Sequence, residues 1–129
     1  MIPCVVLVVD DEPAVLTVTA LRLRRAGYDV LEVSNGPDAI LILESRGDVC
    51  IVLSDCNMVP MRGADLAKLV LRRWPHIGYI AMSGEPPASD LPDDVSFIHK
   101  PHAAGALVAA IEDEHRAVAV RAVARPGSA

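Results

Sequence analysis

The stretch from Val49 to Asp55 constrains the fold of this chain more than any other part of the sequence. It is a short apolar run, rich in β-branched residues, that ends abruptly in a carboxylate. A run of this length is typical of a strand buried in a parallel sheet. In open α/β folds, ligands bind at the carboxyl ends of such strands. We therefore expect Asp55 at the edge of a sheet where the chemistry takes place.

Four other apolar runs have the same character, and helical patterns separate most of them. The predicted strands are residues 4–9, 28–34, 49–55, 77–82 and 95–99. Helices are predicted to begin near Pro13, Asn35 and Gly63, and a last helix is predicted over residues 103–122. The predicted inner face of the first helix comprises Val15, Val18 and Leu21 or Arg22.

Strands that alternate with helices predict an α/β fold with a doubly wound, five-stranded parallel sheet of order 2-1-3-4-5, which is flavodoxin-like. A chain of 129 residues favours one domain, placed at residues 1–124 with a disordered tail at 125–129. The segment between the fourth and fifth strands contains Pro86, Pro87 and Pro92. Because proline interrupts helical hydrogen bonding, helix 4 is predicted to be shortened or missing.

Composition excludes several classes of function. The formal net charge of −5 argues against binding to nucleic acid or to an anionic membrane surface. No apolar run reaches the ~18 residues of a membrane span, and no signal peptide is evident.

Cys4, Cys50 and Cys56 lack the spacing of metal ligands, so they are interpreted as reduced thiols that pack as small hydrophobic residues. A cytoplasmic location is expected.

Polar side chains follow the predicted strands at their carboxyl ends. Asp10 and Asp11 follow the first strand, Asp55 ends the third, Ser83 follows the fourth and Lys100 follows the fifth. Two like charges about 4 Å apart repel by roughly 4 kcal/mol at an effective dielectric constant near 20. A hard dication with oxygen ligands relieves that repulsion, and Mg²⁺ suits a site with few protein ligands. These groups together favour phosphoryl transfer to the carboxylate of Asp55.

The same residues resemble the receiver domain of the two-component response regulator family. The matching residues are Asp10-Asp11-Glu12, Asp55, Asn57-Met58, Gly63, Ser83-Gly84 and Phe97-Ile98-His99-Lys100-Pro101. The resemblance covers about residues 3–118 and implies a stand-alone receiver or one of the hybrid-kinase type. It also implies a signalling role and not an enzyme. Because only a short tail follows the last predicted helix, no output domain of its own is expected.

By this resemblance Asp55 is the phosphoacceptor, which takes a phosphoryl group from a phosphohistidine on a histidine kinase or a histidine phosphotransfer protein. The resemblance implies that Asp11 and Asp55 ligate Mg²⁺ by their side chains, Asn57 by its backbone carbonyl and Asp10 through water.

The resemblance also assigns the switch. Ser83 and Lys100 bind the phosphoryl group, and Phe97 is the aromatic residue that repacks with Ser83. Asn57 and Glu85 fall where side chains tune hydrolysis of the acyl phosphate.

Some residues depart from the family pattern. Val59 displaces Pro60 by one place, and Arg62 replaces a frequent acidic residue. These departures and the shortened segment after Ser83 motivate an alternative: a pseudo-receiver that acts as an interaction module without switching. A small Mg²⁺-dependent phosphatase is a further alternative with the same carboxylate chemistry. The last helix is either simply longer and packed, or the surface of a weak homodimer.

Overall fold

The computed structural model describes residues 4–87, 89–100 and 103–123. The tail predicted at 125–129 lies outside these ranges. The five strands are β1 (Val5–Val9), β2 (Asp29–Val33), β3 (Val49–Asp55), β4 (Gly78–Ser83) and β5 (Ser96–His99). They form one parallel sheet of order β2-β1-β3-β4-β5. The predicted fold class and strand order are confirmed.

Four helices cover the two faces of the sheet. They are α1 (Pro13–Arg25), α2 (Gly36–Ser45), α3 (Gly63–Arg73) and α4 (Ala104–Val123). Side chains of β1 alternate between the faces: Val5, Leu7 and Val9 pack in one apolar cluster, and Val6 and Val8 pack in the other. The first cluster takes its helical side chains from α2 and α3, and the second takes them from α1 and α4. The sheet is therefore buried between two apolar layers, which fix the positions of the strand ends.

The inner face of α1 differs from the prediction. Val18 and Leu21 are 45% and 44% exposed, whereas Thr19, Ala20 and Leu23 are buried. The buried residues follow a second helical stripe that is rotated by one position from the first. The apolar pattern of the sequence favoured the larger side chains of Val18 and Leu21 for the inner face. In the folded chain, the close contact between α1 and the sheet accommodates the short side chains of Thr19 and Ala20 better.

The turns at the helix ends follow from local chemistry. Asn35 caps α2, because its side-chain oxygen accepts a hydrogen bond from the Asp38 backbone N–H at 2.8 Å. Gly27 follows α1 with a positive φ of 97°, which glycine adopts without steric cost. The turn at Gly27 returns the chain from α1 to β2, and the turn at Asn35 leads it from β2 into α2, both at the positions that the sequence predicts.

The chain between β4 and β5 forms no helix over residues 84–87 and 89–95. The prediction that the helix at this position is shortened or missing therefore agrees with the described residues, and the fourth helix in chain order follows β5. Within the described ranges no helix is long and apolar enough to cross a membrane.

The cysteine interpretation was wrong in one respect. The structure joins Cys4 and Cys50 in a disulfide, with 5.1 Å between their Cα atoms, whereas Cys56 keeps a free thiol. The sequence offered no signal for this pair, since the two residues are 46 positions apart and meet only because β1 and β3 are neighbours.

Candidate functional site

Three carboxylates meet at the carboxyl edge of the sheet. β1 and β3 are adjacent and parallel, with Val9 in register with Ser54, so the next residues, Asp10 and Asp55, emerge side by side. Oxygen atoms of Asp10, Asp11 and Asp55 all lie within 4.8 Å of one another. Asp10 is fully buried and Asp55 is 4% exposed, while Asp11 faces solvent. The structure thus brings together the acidic residues that the sequence singled out.

Lys100 places one positive charge between two of these carboxylates. Its Nζ donates to Asp10 Oδ2 at 3.1 Å and to Asp55 Oδ1 at 3.2 Å. The backbone N–H of Lys100 donates to the Ser83 carbonyl at 2.8 Å, which fixes the start of the side chain. Burial lowers the pKa of Lys100, but the hydrogen bond to Asp10 and the charges of Asp10 and Asp55 outweigh it and raise that pKa. The ammonium is therefore kept charged.

The environment of Asp55 disfavours its ionised form. Burial raises the pKa of the Asp55 carboxyl, and the charge of Asp10 raises it further. Lys100 and the Asn57 backbone N–H act in the opposite direction without cancelling this effect. One ammonium therefore does not fully compensate the carboxylates around it, and the site has a deficit of positive charge.

The chemistry of these donors fits a hard divalent cation. All three donors are carboxylates, which suit Mg²⁺ better than a soft metal. Asp11 is exposed, so water has access to complete the coordination that Mg²⁺ requires. Asn57, which follows Asp55 by two residues, is also exposed, and its backbone N–H bonds to the Asp55 carboxylate.

Ser83 ends β4 beside this acidic group. It is 2% exposed, and its Oγ accepts a hydrogen bond from the Glu85 backbone N–H at 3.1 Å. The Asn57 side-chain amide lies 3.5 Å from the same oxygen, which is a long and weak contact. These contacts place Asn57 and Glu85, which are predicted to tune hydrolysis of the acyl phosphate, next to the Ser83 hydroxyl.

Phe97 lies farther from the carboxyl edge of the sheet than the other two predicted switch residues, Ser83 and Lys100. It is in register with Ala81, two residues before the pair formed by Ser83 and His99. The ring is half-buried and packs at the border of the apolar cluster that α2 and α3 cover. Its centroid is 6.3 Å from that of His99.

Gly63 holds the loop after β3 against the site. A Cβ at this position would lie 2.5 Å from the Asp55 carbonyl oxygen and 2.6 Å from the Cys56 Cα. The Gly63 N–H also donates to the Cys56 carbonyl at 3.0 Å. Only glycine permits this close approach, which fixes the backbone that carries Asp55.

Sequence reasoning missed an ion pair above the site. Arg62 donates two hydrogen bonds to Asp90, at 3.1 and 3.2 Å, and so links the loop after β3 to the segment between β4 and β5. Lys68 lies 3.6 Å from the same carboxylate. The departure at Arg62 therefore has a structural counterpart in the shortened segment, which only the folded chain reveals.

A groove of about 680 Å³ opens beside Lys100. It runs along the first turns of α1, where the exposed Val18 lies. Its lining comprises Glu12, Ala14, Val15, Val18, Thr19, Arg22, Gly84 and Lys100. The groove shares Lys100 with the acidic group and gives a bulky partner a surface to contact next to it.

The family model described as the response regulator receiver domain matches residues 6–112. The chain belongs to this family. The matched range includes Asp10, Asp11, Asp55, Ser83 and Lys100, so the acidic edge described above lies inside it.

Two curated relatives contain similar receiver domains. The transcriptional regulatory protein GlrR of Escherichia coli (strain K12) is 32% identical over 119 residues, which are 86% of this chain and 26% of that protein. The sensor kinase CckA of Brucella abortus (strain 2308) is 38% identical over 96 residues, which are 71% of this chain and 10% of that protein. The chain therefore spans a minor part of the length of both relatives.

A solved structure has the same fold. The response regulator receiver protein from Sinorhizobium medicae WSM419 superposes with a TM-score of 0.82 at 25% identity. The superposition covers 90% of this chain and 97% of that one.

Proposed function

We propose that this receiver domain accepts a phosphoryl group on the Asp55 carboxylate and that the modification switches its binding to a partner. The donor is a phosphohistidine of a histidine kinase or a histidine phosphotransfer protein. The observation that carries this proposal is the position of Asp55: buried, beside Asp10, with Lys100 Nζ at 3.2 Å from Oδ1.

The residues around Asp55 have separate roles in the transfer. Lys100 fixes one oxygen of Asp55 and so orients the carboxylate as a nucleophile. A carboxylate oxygen forms the new P–O bond as the P–N bond of the phosphohistidine breaks and its electron pair returns to the imidazole. The ammonium of Lys100 is then next to the transferred group and stabilises its negative charge.

Mg²⁺ is the cofactor that the donor set fits. Asp10, Asp11 and Asp55 would hold it, Asp10 through water, with the Asn57 backbone carbonyl as a further donor. When bound, the ion supplies positive charge that neutralises the phosphoryl oxygens. The shortage of positive charge at the buried Asp55 supports this assignment, since a dication compensates it.

We further propose that Ser83 bonds to the phosphoryl group and that Phe97 repacks with it. The Ser83 hydroxyl accepts from the Glu85 N–H, and its own proton is available to an added oxygen. Asn57 and Glu85 flank this position and would set the access of the water that hydrolyses the acyl phosphate.

The groove beside α1 supports the assignment of a protein donor. It borders Gly84 and Lys100, and the Lys100 ammonium contacts Asp55, so a partner seated there lies beside the acidic site. The partly exposed Val18 offers apolar contact in an otherwise mixed surface.

Acetyl phosphate with Mg²⁺ tests the central proposal. Intact-mass measurement is expected to find one added phosphoryl group on the wild type and none on Asp55→Asn. Asp94→Asn is a matched control, because Asp94 is exposed and lies outside the acidic site. Equal labelling of Asp55→Asn and the wild type would reject Asp55 as the acceptor.

A pseudo-receiver that acts as an interaction module without switching is the second candidate. It is favoured by the absence of a helix over residues 84–87 and 89–95, where the chain has few regular hydrogen bonds to rearrange. Amide spectra before and after phosphorylation separate the two. Shifts confined to the neighbours of Asp55 support the module, whereas shifts that extend to Phe97 and β5 support the switch.

A further inference from the structure

A second group of metal-binding side chains lies at the other end of the sheet. Ligand atoms of Cys4, Cys50 and His115 all lie within 4.8 Å of one another, and each residue is half-buried. Cys50 precedes Asp55 by five positions on β3, so about 16 Å of strand separates this group from the acidic site. The two groups are therefore distinct.

An irregularity in the sheet turns the two cysteines to the same side. Val5 pairs with Val49 but Val6 pairs with Ile51, so Cys50 is an extra residue on β3. Because of this bulge, Cys50 and Ile51 both pack on the face covered by α1 and α4. Cys4 packs on that face as well. Bulges commonly re-aim a side chain, and here the effect is to pair two sulfur atoms.

The helix on that face brings the third group. Leu107 and Ile111 of α4 are fully buried against the sheet, and His115 follows Ile111 by four residues on the same stripe. The stripe thus ends with an imidazole over Cys4 and Cys50. Among residues 4–87, 89–100 and 103–123, no hydrogen bond holds that imidazole in place.

We propose that, with both cysteines reduced, Cys4, Cys50 and His115 bind one Zn²⁺ ion. Two thiolates and an imidazole are typical zinc ligands, whereas Mg²⁺ prefers oxygen. Two thiolate charges balance the dication, so the half-buried position carries no net charge. Since all three residues are partly exposed, solvent has access to the fourth position of the tetrahedron.

The disulfide and the zinc site are alternative states of the same cysteines. Reduction of the disulfide takes up two electrons and two protons from a dithiol reductant, which becomes a disulfide itself. As two sulfur–zinc bonds form, the two thiols release their protons to water. Oxidised protein is therefore expected to lose the site, because a disulfide sulfur is not a thiolate ligand.

Zinc titration of the reduced chain, in the presence of saturating Mg²⁺, tests the proposal. We expect one Zn²⁺ per chain, and a thiolate-to-metal charge-transfer band when Co²⁺ replaces it. Cys4→Ser, Cys50→Ser and His115→Ala are each expected to weaken zinc binding at least about tenfold. Cys56→Ser and His76→Ala are matched controls, since Cys56 lies at the acidic edge and His76 is exposed, and both are expected to bind as the wild type does.

Thermal unfolding followed by circular dichroism is measured for each variant, so that lost binding is not confused with lost structure. Binding that survives both cysteine substitutions, or that is lost in Cys56→Ser, would overturn the assignment. So would reduced wild type that takes up no zinc. Asp55→Asn, which removes the phosphoacceptor, is expected to keep the zinc site, so failure of this inference is distinguishable from failure of the proposed function.

Discussion

Lys100 at the end of β5 donates a hydrogen bond to Asp55 at the end of β3, with 3.2 Å between Nζ and Oδ1. The strand between them in the sheet is β4, so the lysine side chain crosses the end of that strand to reach the carboxylate. The same ammonium lies 3.1 Å from Asp10. Among the described residues it is the cation that compensates two buried acids.

Lys100→Ala is expected to destabilise the fold. Removal of one partner of a buried ion pair leaves an uncompensated charge, and here two carboxylates lose their partner. Because the Lys100 side chain is 18% exposed, we expect a loss of about 2–3 kcal/mol in the free energy of unfolding, at the low end for buried pairs. Urea unfolding in metal-free buffer measures it.

Lys68→Ala is the control for this substitution. Lys68 also faces a carboxylate, that of Asp90 at 3.6 Å, but its side chain is 51% exposed. Surface pairs of this kind contribute little to stability. Equal destabilisation by the two substitutions would contradict the special role of Lys100.

Asp55→Asn is expected to stabilise the metal-free protein. Burial and the charge of Asp10 raise the pKa of Asp55, which means that its ionised form is disfavoured in the folded state. A neutral amide of the same shape removes that cost. We expect a rise in Tm of about 3–5 °C in chelator, and a smaller stabilisation by Mg²⁺ than in the wild type. Asp94→Asn, at an exposed position, is expected to leave both quantities unchanged.

The difference in stability between the wild type and Asp55→Asn is expected to depend on pH. Because the folded-state pKa of Asp55 is raised, its contribution is fully present below its ordinary value of 3.8 and is lost as the pH rises through the folded-state value. The Tm of the wild type relative to that of Asp55→Asn should therefore rise as the pH falls toward this ordinary value. Paired Tm measurements cancel the titration of all other groups. A constant difference would show that the pKa of Asp55 is not raised.

The acidic edge was predictable from sequence because strand ends of a parallel sheet meet at one edge. Asp10, Asp55 and Ser83 each follow an apolar run, so the position of the run fixes the position of the side chain. The order of strands then follows from the alternation of strands and helices. Three-dimensional contact between these residues needed no knowledge of loop conformation.

Features that depend on a local irregularity were not predictable. The pairing of Cys4 with Cys50 rests on a bulge in β3, and no residue pattern marks that bulge. The prediction for the inner face of α1 was wrong because two neighbouring sets of residues both follow helical spacing. One set contains Val18 and Leu21, and the other, which contains Thr19 and Ala20, is the one that packs against the sheet. Tertiary packing decided both cases.

Gly63→Ala is expected to destabilise the chain and to slow phosphorylation. The added Cβ would lie 2.5 Å from the Asp55 carbonyl oxygen, so backbone and not a flexible side chain has to move. A loss of about 2–4 kcal/mol is expected, together with a lower rate of labelling by acetyl phosphate. Gly105→Ala is the control within α4, where a Cβ meets nothing within 4 Å. Because Gly105 is the second residue of α4, that substitution is expected to change the free energy of unfolding little. Equal effects of the two changes would contradict the close-approach argument.

Arg62→Asp is expected to loosen the segment between β4 and β5 without unfolding the domain. Arg62 and Asp90 form a two-bond contact across the site, but both are exposed, so the global stability should change little. The segment itself has few other regular hydrogen bonds, and weakly held segments open locally. Hydrogen exchange of the amides near Asp90 is therefore expected to accelerate several-fold, whereas that of the β4 amides is not.

The double variant Arg62→Asp with Asp90→Arg restores opposite charges and is expected to recover most of the protection from exchange. A general disturbance of the loop would not be reversed in this way. Arg46→Asp, which breaks a local pair with Asp48, is the control and should leave the exchange near Asp90 unchanged.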